Sequence, residues 1–275
     1  MSRFWRLKGC VVFMAFMVAF GQAAVALFQA PEQAAGGPLL GAPYAGSYDG
    51  PFVLDSSEGG NDGTITLTFR QDGDVLTGRL AQEISDGSCI RNSGFVVTFD
   101  ETGFDATATA VDGSGIVTSI RAILIQDFSG DRLEGTFFTS GCSLPIISGR
   151  FVLPKLPVSD PLDLSRRYTG GVWYWDLQSR ENATLTGALE DGAFTADPVA
   201  LTSSLGTLTG TGTAQLNPEG DRLENLAIRL TTPLGPITIR GEWAVTSDGN
   251  ILFGGFQSDP GSAFVLHGST ILRAQ

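Results

Sequence analysis

Gly73-Asp74-Val75-Leu76-Thr77-Gly78 is the stretch that decides the fold of this chain. The same pattern returns as Gly130-Asp131-Arg132-Leu133-Glu134-Gly135. It returns a third time as Gly220-Asp221-Arg222-Leu223-Glu224-Asn225, with Asn in the last place. Glycine supplies the positive φ that hairpin turns need, and Asp suits the neighbouring turn position. Leu then anchors an apolar face. Each copy therefore predicts a tight turn feeding a strand, and the recurrence predicts a β-meander.

The residues around these turns alternate with a period of two. Ile65, Leu67 and Phe69 interleave with Thr64, Thr66, Thr68 and Arg70. Phe95, Val97 and Phe99 repeat the pattern, as do Ile237, Ile239, Gly241, Trp243 and Val245. Such alternation marks antiparallel strands with one buried face. Abundant Gly and Thr disfavour helix. About eight strand candidates fall in each half of the chain. The expected architecture is all-β: two tandem antiparallel meanders, each a small eight-stranded barrel or a sandwich. Barrel closure would remove exposed edges.

Domain boundaries follow from composition. Residues 1–26 read as a secretory signal, with Arg3, Arg6 and Lys8 before an apolar run and Ala24-Val25-Ala26 as a cleavage site. An uncleaved N-terminal membrane anchor is the alternative. Residues 27–43 read as a flexible leader, 44–153 as the first β domain, 154–167 as a Pro-containing linker and 168–275 as the second β domain. The two domains open alike, Tyr44-Ala45-Gly46-Ser47-Tyr48 and Tyr168-Thr169-Gly170-Gly171-Val172-Trp173. Ala106-Thr107-Ala108-Thr109-Ala110 also matches Gly210-Thr211-Gly212-Thr213-Ala214, as distant copies would.

The opening Gly171-Val172-Trp173, with Arg273 on the last strand, resembles the Gly-x-Trp start and closing arginine of lipocalin- and avidin-type barrels. The resemblance covers only these few residues. It implies that Trp173 plugs a barrel end with Arg273 packed over it. No set of biotin-site residues accompanies it.

The chain of 275 residues has 17 basic and 29 acidic residues. Removing 1–26 takes away three basic and no acidic residues, so the mature charge is 14 − 29 = −15. That charge disfavours nucleic acid as a partner and suits a soluble exported surface. Export to the periplasm or beyond also favours a disulfide between Cys89 and Cys142, the two cysteines of the mature chain. The closed loop of about 54 residues makes that bridge worth roughly 4 kcal/mol on the loop-entropy model.

Little in the sequence carries chemistry. Trp173-Tyr174-Trp175 with Asp176 is the strongest local feature. It reads either as an aromatic platform for a flat ligand or sugar, or as a core plug with one interfacial ring. Trp243 joins Trp173, Trp175 and Asp176 as a candidate ligand contact. His267, the only histidine, reads as structural. The acidic stretch Asp55–Gly63 matches no calcium-loop spacing and reads as a turn. Asp176, Glu181 and Glu242 are the conceivable carboxylates of a hydrolase. No nucleophile, metal site or cofactor site emerges, and no membrane span is expected once the signal is removed. Inward glycines (Gly78, Gly135, Gly210, Gly212 and Gly241) either leave interior space for a ligand or permit strand coiling. The expected function is thus a non-catalytic binding module for a small apolar molecule or glycan. A structural or adhesive envelope protein with filled barrels is the alternative, and an enzyme the third reading.

Overall fold

A computed structural model describes residues 41–57, 62–85, 89–99, 105–140, 147–203, 206–262 and 265–275. Sixteen strands make up almost all of it. The first eight are β1 (Gly46–Leu54), β2 (Gly63–Asp72), β3 (Val75–Ile84), β4 (Ile90–Phe99), β5 (Asp105–Val111), β6 (Val117–Asp127), β7 (Gly130–Thr139) and β8 (Ile147–Pro154). The second eight are β9 (Arg167–Tyr174), β10 (Ser179–Glu190), β11 (Ala193–Ser203), β12 (Gly206–Leu216), β13 (Arg222–Thr232), β14 (Gly235–Val245), β15 (Ile251–Ser258) and β16 (His267–Ala274). Each group is an up-and-down antiparallel sheet closed into a barrel. β1 meets β8 through Phe52↔Phe151, Val53↔Arg150 and Leu54↔Gly149. β9 meets β16 along seven pairs, from Tyr174↔Gly268 to Tyr168↔Ala274.

The repeated turn works as its residues require. Gly73, Gly130 and Gly220 all have positive φ, at 58°, 108° and 75°. Leu76, Leu133 and Leu223 are each buried in a barrel core. The last position does something else. Gly78 and Gly135 each lie directly opposite an inward aromatic ring, Phe95 and Phe151. A Cβ on Gly78 would sit 2.4 Å from the Phe95 ring, and one on Gly135 would sit 2.6 Å from Phe151 Cζ. Gly63 with Phe52, Gly149 with Phe137 and Gly268 with Phe256 repeat the arrangement. The space above these glycines is therefore filled by rings, so Gly78 and Gly135, two of the five inward glycines of the sequence, leave no interior room for a ligand. In the third copy Asn225 has φ 54° and sits in a bulge, where the β13–β14 register shifts between Leu223 and Leu226.

Two further expectations fail on register. Trp173 does not plug a barrel. On β9, Val172 and Tyr174 point inward, so Trp173 points out. A shift of one residue exchanges faces, and a tripeptide match cannot see it. The plugs are tyrosines. Tyr168 is fully buried and its hydroxyl donates to Gly249 O at 2.8 Å. Tyr44 packs on Phe69 and Phe99 in barrel 1, and its hydroxyl accepts from Leu124 N at 3.3 Å. Arg273 covers no tryptophan; it reaches across to barrel 1. The apparent copy pairing residues 106–110 with 210–214 joins the fifth strand of one barrel to the fourth of the other, so it is a local likeness and not a domain alignment.

The barrels meet along an apolar seam. Ala81 and Ile90 of barrel 1 pack with Trp173, Ala244, Ile251, Phe253 and Ile271 from the outer face of barrel 2. Polar contacts flank it. Arg273 Nη1 and Nη2 donate to Asp49 at 2.9 and 3.0 Å, and Arg180 Nη2 donates to Glu83 at 2.6 Å. Arg79 pairs with Glu242. Asn92 Nδ2 donates to Gly254 O at 3.0 Å and Thr270 O at 2.7 Å, all buried. Residues 155–166 are tied to both barrels: Leu156 N donates to Ser47 O, Ser159 N donates to Ser247 O, and Leu164 is buried in the core of barrel 2.

Cys89 is buried and disulfide-bonded. Cys142, with the signal and most of the leader, lies outside the described residues. So do residues 58–61 of the acidic stretch. Asp62, at its end, accepts from Leu54 N at 2.8 Å and Ser57 Oγ at 2.7 Å. These bonds hold its carboxyl below the usual range, the Leu54 amide first and the Ser57 hydroxyl second. Among the described residues no cluster of His, Cys, Asp and Glu could hold a metal, and no helix is long and apolar enough to cross a membrane.

Candidate functional site

A cleft of about 850 Å³ lies where the outer face of barrel 2 meets a turn of barrel 1. Strand register builds its floor. Arg240 pairs with Gln257, Gln257 pairs with His267, and Trp175 N donates to His267 O at 3.0 Å. These four residues from β14, β15, β16 and the end of β9 form one row across the outside of the barrel. The next row is Glu242, Gly255, Ser269 and Trp173. The row beyond it, Ala244, Phe253, Ile271 and Gly171, belongs to the seam. Down this face the surface thus passes from polar to apolar, and the cleft lies at the polar end.

Trp175 forms one wall. Its indole Nε1 donates to Ser269 Oγ at 3.1 Å, which fixes the ring on the sheet. The turn between β5 and β6 comes over it. A Cβ on Gly113 would lie 2.3 Å from the Trp175 ring, so only glycine lets this turn approach so closely. Asp112 holds the turn by accepting from Ser114 N, Ser114 Oγ and Ile116 N at 2.9, 2.6 and 2.9 Å.

Two polar groups of the cleft, His267 and Arg240, are each bonded to a carboxylate. His267 Nδ1 donates to Asp176 Oδ2 at 3.0 Å. A carboxylate at Nδ1 leaves Nε2 of the neutral ring as an acceptor. Arg240 donates to both oxygens of Asp259, at 2.5 and 3.1 Å, and these bonds hold its guanidinium above the ordinary pKa. Further along the seam, burial pushes Arg79 down while Glu242 opposes the shift.

The candidate ligand contacts are divided by this arrangement. Trp173, Trp175 and Asp176 line the cleft. Trp243 does not; it is buried inside barrel 2 against a void of about 30 Å³. That void has room for about one water and is far too small for a ligand. Of the three carboxylates conceivable for a hydrolase, only Asp176 reaches the cleft. Glu181 accepts from Tyr174 Oη at 3.0 Å, and Glu242 is paired with Arg79 and Arg222. Arg240, Gln257 and His267 were not singled out by sequence as cleft residues. Their common outward parity was readable, but their adjacency comes from register across three strand pairs.

No protein-family model matches the chain, and no curated protein matches it. Among solved structures it is similar to a protein of unknown function of the DUF3598 family from Nostoc punctiforme. That match has 16% identity over 86% of this chain and 97% of that one, with a TM-score of 0.25. A candidate outer membrane protein from Bacteroides fragilis matches at 11% identity over 86% and 99%, also with a TM-score of 0.25. CghA with Sch210972 matches at 10% identity over 82% and 87%, with a TM-score of 0.20. These similarities carry no functional argument.

Proposed function

We propose that this chain is an exported, non-catalytic binding module, and that its ligand is a glycan or similarly hydroxylated small molecule held in the inter-barrel cleft. One observation carries the reading: the row Trp175, His267, Gln257 and Arg240 presents an indole wall and three polar side chains to a single open hollow. Indole faces stack on flat apolar surfaces, while fixed polar pairs orient hydroxyls. Ser114 Oγ donates to Asp112, and Ser269 is fully buried under the Trp175 indole, which argues against a serine nucleophile working with His267. Passage through an oxidising compartment fits the bonded Cys89, for which Cys142 is the proposed partner.

Tryptophan fluorescence titrated with a panel of neutral oligosaccharides tests this. A binding glycan quenches emission, and Trp175→Ala weakens it by about tenfold or more. Gln257→Ala, which removes one exposed amide and leaves the walls intact, weakens it by a smaller factor. A panel that leaves the emission and the thermal midpoint unchanged overturns the reading.

Exposed apolar side chains favour a second reading, adhesion to an envelope partner. Phe128 is fully exposed at the β6–β7 turn, and Leu177, Leu234 and Val265 are exposed at other strand ends. It predicts that the protein sediments with cell envelopes and that Phe128→Ser releases it.

A further inference from the structure

The cleft does not end at Trp175. Gly113, Trp175 and Gly255 also line a narrower passage of about 210 Å³ between the barrels. Arg79 and Gly94 carry that passage into a second hollow of about 680 Å³. Arg70 and Thr68 of barrel 1 wall the second hollow, facing Glu219 and Arg222 of barrel 2. Each of the two large hollows alone is the size of a whole small-molecule site, which spans roughly 300–1,000 Å³. One compact ligand would leave most of this space empty.

Two glycines mark the junctions. A Cβ on Gly255 would meet nothing closer than Gly268 O at 3.7 Å, and one on Gly94 nothing closer than Gly78 O at 3.9 Å. Neither has a positive φ. The fold therefore has room for a Cβ at both positions, unlike at Gly78 or Gly113. What a side chain there would do is narrow the passage.

Charge defines the ligand further. Among the described residues every arginine lining the groove is already committed to a carboxylate: Arg240 to Asp259, Arg79 and Arg222 to Glu242, and Arg70 to Glu219. An anionic polymer would meet no free cation here and would have to displace an existing pair. Hydroxyl groups can bond to the outer edges of such pairs without breaking them. We propose that the two hollows and the passage are one groove for a neutral linear oligosaccharide laid along the seam between the barrels. This rests on the cleft being the ligand site, and it adds that the ligand is a chain and not a single sugar.

The experiment is calorimetric titration with graded neutral glucans, mannans and galactans, from disaccharide to octasaccharide, with a uronic-acid oligomer as the charged counterpart. Affinity is expected to rise by about tenfold or more between the short and long members of one series. Gly94→Phe, whose folding is checked by its thermal midpoint, is expected to remove that rise while disaccharide binding persists. Equal affinity for short and long members overturns the groove but leaves the single-cleft reading standing. Preference for the charged oligomer overturns the neutral ligand. Absence of all glycan binding overturns both readings together.

Discussion

Valine in place of Gly78 is expected to destabilise barrel 1 by about 2–3 kcal/mol, the upper part of the range for overpacking a core. The new Cβ would lie 2.4 Å from both Cε2 and Cζ of Phe95 and 2.8 Å from Thr68 O. Phe95 cannot swing away, because its ring also packs edge-on against Phe69 at 5.6 Å between centroids. For a chain of this size the thermal midpoint should fall by roughly 5–10 °C. The partner change isolates the cause. Gly78→Ala combined with Phe95→Leu should cost less than the two single changes added together, with a coupling of about 1 kcal/mol. The first glycine of the same motif behaves differently. Gly73 has open space around it and φ 58°, so Gly73→Ala should cost only the left-handed backbone penalty of about 1–2 kcal/mol. A valine variant at Gly78 that melts with the native protein would show that the ring does not occupy the space over that glycine.

These two glycines show how far the sequence could be read. A turn is local, and its chemistry is written in the residues that make it. Gly73, Gly130 and Gly220 were therefore readable as turns and Leu76, Leu133 and Leu223 as core. The eight strands of each meander followed from alternation between them. The second glycine is a cross-strand feature. Whether it hollows the barrel or receives a ring depends on the residue opposite, and Phe95 stands seventeen residues further along the chain. Trp173 fails in the same way. Alternation put it on the same face as Trp175, but nothing local said which face was the inside. Tyr168, five residues earlier, took the core position.

The site divides along the same line. Trp173, Trp175 and Asp176 stand close together because they are neighbours on one strand and the turn after it. Arg240, Gln257 and His267 join them through the registers of β14, β15, β16 and β9. His267 read as structural because a lone histidine on an apolar strand has no visible partner. Its partner, Asp176, is ninety-one residues away. The cleft also needs a turn from the other barrel, and Gly113 gave no sign that an indole would rest on it. A site between two barrels is invisible to a reading that treats each barrel alone.

The seam that creates the cleft can be tested at one buried amide. Asn92→Asp changes one group of the side chain and keeps its shape. The amide donates to the carbonyls of Gly254 and Thr270, and its own Oδ1 has no hydrogen-bond partner among the described residues. A carboxylate there offers no donor and faces two carbonyl oxygens while buried. Leaving an uncompensated charge in such a place costs about 3–5 kcal/mol. The sign of the pH dependence follows. The charged form is the one disfavoured in the folded protein, so the folded pKa of the new carboxyl rises above its unfolded value of about 3.9. Below that unfolded value both states are protonated and the charge penalty is absent. It accrues as the pH rises and is complete once the pH passes the folded pKa. Measured against the native protein at each pH, the variant should therefore be weakest at neutral pH and recover most of its stability near pH 4. A residual loss of about 1 kcal/mol should remain there, because a protonated carboxyl donates one hydrogen bond where the amide donates two. Asn92→Leu is the comparison that separates charge from lost hydrogen bonds. It removes both donated bonds without adding a charge, so its cost of about 1–3 kcal/mol should not vary with pH. Both variants should also weaken any ligand that spans the cleft, since its walls come from different barrels. A pH-independent loss for Asn92→Asp would mean that water reaches this amide and screens the new charge.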